Sequence, residues 1–213
     1  MDGVGPRLFI RELGGYPDYE VDEDPMTSAP TLSEFYHLKV SDWLELADQA
    51  RIVEIINGEI FMAPAPSTRH QSLSRELTVR LYRHVVDNGL GTIFFAPTGL
   101  KLKEDVVLEP DVLVVLNHNF HAIQEYYVER ADLVVEILSP GTAGRDVGIK
   151  RDRYEEAGIP EYWIVDPAAR TVEVLVLDAG HYWTGGTFGE SEVLVSRVLP
   201  GFEIALAALW EGP

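Results

Sequence analysis

The chain has 213 residues, enough for one domain with a sizeable core. It has no cysteine, which excludes disulfide scaffolds, thiolate zinc sites and cysteine nucleophiles. Thirty-five acids against 17 bases leave a formal charge of −18, which argues against a protein that coats nucleic acid through a basic surface. The excess is uneven: residues 1–60 hold 13 acids and 4 bases. Two basic windows stand out: Arg69, Arg75, Arg80, Arg83, Lys101 and Lys103, then Arg145, Lys150, Arg151 and Arg153. A local basic site can therefore hide inside an acidic total. No apolar run approaches the roughly 18 residues of a membrane span. No basic-then-apolar leader opens the chain. A cytoplasmic protein without membrane contact is expected.

Residues 1–30, with GGYPDYEVDEDP, read as an acidic N-terminal arm, and residues 31–213 as a single domain. Thr31 to Leu46 reads as a short helical lead-in, with Ser41 and Glu45 as capping residues. In IVEIINGEIFM, residues 52–62, two β-rich runs flank Asn57-Gly58, a hairpin signal. Pro64 and Pro66 stop the second strand. Ser67 or Thr68 then caps a helix whose Leu73, Leu77, Leu81 and Val85 form an apolar stripe, and Gly89 ends it. Strands are expected at residues 92–96, 106–108, 111–116 and 132–138. The last two are nearly continuous apolar runs, as in strands buried on both faces. A Gly/Ser/Pro loop at 139–144 leads into a helix at about 145–157, closed by Gly158 and Pro160. Residues 161–165 read as a buried strand, and 171–177 with 181–184 as an antiparallel pair. The order predicts an α/β fold: a mixed central β-sheet flanked by α-helices, with an antiparallel β extension.

Two strands carry acids near their ends. Glu109-Pro110-Asp111 interrupts one, and Glu136 sits in Val-Val-Glu-Ile-Leu. The proline cannot donate a ladder hydrogen bond, so a bulge is expected beside Asp111. If the two strands are neighbours, Asp111 and Glu136 approach each other, and two close carboxylates repel unless a proton or a metal lies between them. Oxygen ligands suit Mg²⁺ or Mn²⁺. The alternative is that each carboxylate pairs with an arginine. Asp146, Lys150 and Tyr154 share one helical face. Lys150 can steady developing negative charge or orient a water there, or simply pair with Asp146. His118-x-x-His121 supplies no third ligand and reads as a surface loop. Trp43, Trp163, Trp183 and Trp210 read as core anchors. Gly141 and Gly144, around Thr142, read either as a phosphate nest or as a flexible connector.

These segments together carry a resemblance. Val53–Glu59 (VEIINGE), Pro66-Ser67 with His70-Gln71, Glu109-Pro110-Asp111 with Asp132–Pro140 (DLVVEILSP), and Lys150, Tyr154 and Gly158 with Glu161–Pro167 (EYWIVDP) follow one another as in the Uma-two family. That family is a branch of the PD-(D/E)XK nuclease superfamily, and the likeness extends over about residues 31–210. The resemblance implies a restriction-endonuclease-like core with a four-stranded mixed sheet. It implies a metal-dependent endonuclease that binds Mg²⁺ or Mn²⁺ through Asp111, Glu136 and the Ile137 carbonyl. Leu138 stands where the superfamily carries a lysine; Lys150, from the following helix, matches the residue that replaces it. Glu54 matches the acid of the hairpin and is a further catalytic candidate. His70, Gln71 and Tyr154 are expected to face the same cleft and bind substrate. DNA, held weakly and only with metal, is the expected partner, and a homodimer the expected assembly. Two other functions compete: a nuclease-fold binding or assembly module without catalysis, and a small-molecule phosphodiesterase.

Overall fold

The computed structural model describes residues 39–47, 53–62, 65–140 and 143–211. The acidic arm at 1–30, most of the expected lead-in helix, and Gly141-Thr142 of the proposed nest lie outside the described residues.

The central element is a six-stranded sheet. Its members are β3 (Gly91–Phe95), β6 (Val112–Leu116), β8 (Leu133–Ile137), β9 (Glu161–Asp166), β10 (Thr171–Asp178) and β11 (His181–Phe188), ordered β11-β10-β9-β8-β6-β3. The β8–β9 pair is parallel, and β3–β6 and β6–β8 are antiparallel, so β3, β6, β8 and β9 form the four-stranded mixed core. The β10–β11 hairpin is the antiparallel extension. Alternation along the central strands splits the core in two. Val112, Val114, Val135 and Ile137 pack under helix α2 (Thr68–Val85), against its stripe Leu73, Leu77, Leu81 and Val85. Leu113, Val115 and Val134 face the other way.

That second face is covered by a second sheet, where helices alone were expected. It comprises β1 (Val53–Ile56), β2 (Glu59–Met62), β4 (Gly99–Lys103), β5 (Val106–Leu108) and β7 (Tyr127–Val128), ordered β2-β1-β5-β4-β7. Helix α3 packs there too, in three stretches: Ala143–Arg145, a π-helical turn Asp146–Lys150, and Arg151–Glu156. Strand β4, GLKLK, was not anticipated; it buries the consecutive pair Gly99 and Leu100, and a register shift between Lys101 and Lys103 breaks any simple alternation. A small β12–β13 hairpin (Val193–Val195, Glu203–Ala205) and helix α4 (Ala207–Trp210) complete the face beneath α2.

Local signals explain the joints. Asn57 and Gly58 both have positive φ (56° and 81°), as a two-residue hairpin turn requires. Ser67 caps α2, its Oγ accepting from His70 N at 3.2 Å. Past the other end, Gly89 N donates to the Val86 carbonyl and Leu90 N to that of Val85, with Gly89 at φ 65°. In α1 (Val40–Ala47) the capping carboxylate is Asp42, which accepts from Lys39 N at 2.7 Å; Ser41 is not the cap, and the Glu45 side chain lies outside the described set. Trp43, Trp163 and Trp210 are core residues, but Trp183 is 42% exposed beneath the Arg197 guanidinium.

Leu77 is fully buried between α2 and the central sheet. Leu77→Ala should therefore cost about 2–5 kcal/mol through lost transfer energy and a residual cavity. Urea unfolding checks this: the midpoint should fall while the denaturant slope stays unchanged.

Candidate functional site

Alternation places Glu136, like Val134, on the face of β8 between the two sheets. A carboxylate there needs partners, because burying an unpaired charge costs several kcal/mol. Two come from α3: Lys150 Nζ donates to Glu136 Oε1 at 2.8 Å, and the Tyr154 hydroxyl donates to the same oxygen at 2.7 Å. The same ammonium reaches Glu54 Oε1 at 2.7 Å and Asp146 Oδ1 at 3.3 Å. The π-helical turn lies in this stretch, a distortion common at functional sites. Glu54 stands mid-strand on β1, and its Oε1 also accepts from Glu109 N at 3.0 Å. Lys150 thus joins both sheets and its own helix. The expected arginine partners are absent from the described residues around Glu136: the counter-ion is lysine.

Glu109-Pro110-Asp111 is where the chain leaves one sheet for the other, since β5 ends at Leu108 and β6 starts at Val112. The proline therefore marks a sheet switch rather than the expected bulge, because a residue without an N–H continues neither ladder. This crossing aims Asp111 at the end of β8, where its Oδ2 accepts from Ile137 N at 2.7 Å. His70, in the first turn of α2, holds Nε2 3.3 Å from that Oδ2 and 3.1 Å from the Ile137 carbonyl. Glu54, His70, Asp111, Glu136, Ile137, Lys150 and Tyr154 are thus brought together. Gln71 is exposed, and only its backbone, donating to the Ser67 carbonyl, is engaged among the described contacts.

Glu109 and Asp146 enlarge the cluster. Glu109 was not anticipated as a site residue. It is 4% exposed, its Oε1 accepts from Trp43 Nε1 at 3.3 Å, and its Oε2 has no hydrogen-bond partner among the described residues. The only sequence signal for it was an acid inside the apolar run VVLEPDVLVVL. His118 lies elsewhere, its Nε2 3.1 Å from the buried Asp132 Oδ1, so the His118/His121 pair forms no part of this site.

The electrostatics follow from crowding. Burial pushes the Glu136 carboxyl well up; Lys150 opposes this, and Asp146, Asp111 and Glu54 push it further. Burial likewise pushes Glu109 up to about 7, with Glu54 adding to it. Burial by itself lowers Lys150, but Glu136, Glu54 and Asp146 outweigh it and hold the ammonium well above its usual range. Burial opposes protonation of His70, yet the hydrogen bond and charge of Asp111 and the Ile137 carbonyl raise it overall. Tyr154 is pushed well up by burial and by Glu136, so it remains a donor. Among the described residues five acidic side chains, Glu54, Glu109, Asp111, Glu136 and Asp146, thus crowd around Lys150 and His70. Among the described residues no three His, Cys, Asp or Glu side chains are already set as a metal cage. What the site offers a cation is two carboxylates, Asp111 and Glu136, with the carbonyl of Ile137, the residue that follows Glu136. This crowding of acids, with a Glu109 oxygen that has no hydrogen-bond partner among the described residues, fits a hard divalent ion.

The basic windows do not make a bare positive face. Arg75 and Arg80 pair with Glu76, Lys101 with Glu104, Lys103 and Arg153 with Glu156, and Arg151 with Asp152. In these windows only Arg69, Arg83 and Arg145 lack a carboxylate partner among the described residues.

Two predictions come from this charge balance. Lys150→Met leaves Glu54, Glu136 and Asp146 without their cation and should cost about 3–5 kcal/mol in metal-free buffer. The loss should be larger at pH 8 than at pH 5, where the carboxyls take up protons instead; denaturant titrations at both pH values check this, and equal losses would contradict it. Glu109 is raised in the folded state, so its contribution is full below about 4.5 and is lost as pH rises through about 7. Glu109→Gln should then gain stability relative to the parent across that window, by at most about 3 kcal/mol. Metal-free melting curves at pH 5 and 8 read it.

Comparison with curated proteins finds no match. Among solved structures, a crystal structure titled as "a putative nuclease belonging to DUF820", from Anabaena variabilis, is 19% identical. It covers 81% of this chain and 97% of its own, with a TM-score of 0.68. That likeness is one of fold: the two chains share the mixed α/β architecture. The Uma2 family, described as "Putative restriction endonuclease", matches residues 32–207. The match spans most of the chain, including the hairpin, the sheet switch, β8 and α3, and the chain belongs to the Uma2 family.

Proposed function

We propose that the protein is a metal-dependent endonuclease that hydrolyses DNA phosphodiester bonds, with Asp111, Glu136 and the Ile137 carbonyl as ligands for Mg²⁺ or Mn²⁺. The observation that carries this reading is the surplus of buried carboxylates around Lys150, which a divalent cation would balance. When bound, such a cation lowers the pKa of water and offsets charge on the phosphate under attack. The chain's own groups divide the remaining work. Asp111 is held through Oδ2 by Ile137 N and His70 Nε2, which fixes the carboxylate at the end of β8. Lys150 and Tyr154 both donate to Glu136 Oε1 and leave its other oxygen to the ligand. Glu54 and Asp146 fix the lysine, so Lys150 acts here chiefly through Glu136. His70 Nε2 lies against the Asp111 carboxylate and the Ile137 carbonyl, where it can hold a proton or, without one, serve as a further donor. Arg69, whose guanidinium reaches the Pro167 carbonyl at 2.7 Å, is a phosphate contact in this scheme. A homodimer, presenting two such sites, belongs to the same reading.

A second reading has one observation in its favour. Lys150 already pairs with three carboxylates, as a structural clamp would, and a binding or assembly module needs nothing more. No helix among the described residues is long and apolar enough to cross a membrane.

Incubation of plasmid and of labelled oligonucleotides with protein plus Mg²⁺ or Mn²⁺ separates the two readings. Cleavage is expected, abolished by EDTA, by Asp111→Ala and by Glu136→Gln, each by at least about 100-fold. Equal cleavage by parent and variants, or none by the parent on any substrate, would sink the nuclease reading.

A further inference from the structure

Beside Asp111 the structure carries an aromatic ring with no evident structural use. Phe95 ends β3 and is 58% exposed. Its backbone is fixed: it pairs with Val112, the next residue's N donates to the Asp111 carbonyl at 3.2 Å, and its own carbonyl accepts from Thr98 Oγ1 at 2.8 Å. The Phe95 backbone is thus fixed beside that of Asp111, and pairing with Val112 turns its solvent-exposed ring to the α2 side of the sheet, the side from which His70 reaches the Asp111 carboxylate. A second planar surface flanks Lys150. Arg145 precedes Asp146 and lies 5.2 Å over the Phe61 ring, and Phe61 is the cross-strand partner of Glu54, so both point to the same face of the hairpin.

The charges around these rings are sparse. A protein that tracks duplex DNA uses many phosphate contacts. Here, of the two basic windows, only Arg69 and Arg145 near the site are without a carboxylate partner among the described residues, and the chain carries a formal −18. Planar groups are well supplied and free cations are not. Stacking is the interaction that holds bases exposed on an unpaired strand, and it demands little charge.

We infer that the site accepts unpaired nucleotides, with Phe95 stacking on a base next to the phosphate at Asp111 and the Arg145–Phe61 pair supplying a second platform. This rests on the nuclease reading above and names its substrate class: single strands, or splayed ends of duplexes, in preference to intact duplex.

The test uses one sequence in three forms, single strand, blunt duplex and duplex with a splayed end, with Mn²⁺ and the full chain. The single strand and the splayed end should be cut, and the blunt duplex at least about tenfold more slowly. Phe95→Ala should raise KM for the single strand about tenfold, with a much smaller effect on kcat, and Phe95→Tyr should restore it to within about twofold. With Ca²⁺ in place of Mn²⁺, single-strand affinity read by anisotropy should fall with a log–log salt slope of about −1.4, the value for two phosphate contacts. Faster cutting of blunt duplex, or a KM indifferent to Phe95→Ala, overturns the inference while leaving the nuclease reading intact. Cleavage of none of the three forms overturns both. A variant whose only change is in self-association, read by light scattering, assigns the ring to a contact between copies and also overturns it.

Discussion

One buried ammonium holds the architecture together. Lys150 is 4% exposed and shares its charge among Glu54 on β1, Glu136 on β8 and Asp146 on its own helix. Those carboxylates belong to two different sheets and a helix, so the ion pair fixes how the layers meet. Desolvating such a group is tolerable only with nearly ideal partners, and removing any one leaves a charge stranded. The surrounding contacts follow the same need. Tyr154 adds a second donor to Glu136, Glu109 N adds one to Glu54, and the Tyr162 hydroxyl caps the Asp146 carbonyl at 3.0 Å.

The same cluster explains why an acidic protein belongs to a nuclease-like family. Part of the acidic charge that counts against nucleic acid in the composition is turned inward. Glu54, Glu109, Glu136 and Asp146 are buried, and Asp111 stands at their edge. Meanwhile most clustered bases spend their charge on neighbouring acids, as Lys103 and Arg153 do on Glu156. Net charge therefore described neither the site nor its approaches. The distribution of pairing did.

Much of this was legible in advance because short-range physics decides it. The Asn57-Gly58 turn, the Ser67 cap, the four-residue spacing of Leu73, Leu77, Leu81 and Val85, and the apolar runs of β6 and β8 each identify their element without reference to anything distant. Asp111 and Glu136 stood out for the opposite reason, as acids in strands that otherwise bury. Other features were not legible. Strand β4 was masked by its lysines and by the burial of two consecutive residues, Gly99 and Leu100, and its irregular register is set by pairing with β5. The Pro110 interruption admitted a bulge as readily as a sheet switch. The exposure of Trp183 could not be read from its type, because it depends on β11 lying at the edge of its sheet.

The sequence by itself thus determined the elements, the alternating faces of the central strands and the identity of the acids and the lysine that break the apolar pattern. Tertiary structure alone decided that the hairpin forms a second sheet, that Glu109 joins the buried carboxylates, and that His70 rests between Asp111 and the Ile137 carbonyl. The physical reason is range. Backbone preferences and amphipathic periodicity act over a few residues, whereas the state of a buried charge depends on groups dozens of residues away, such as Glu54 and Lys150, which meet only when both sheets and the helix are packed.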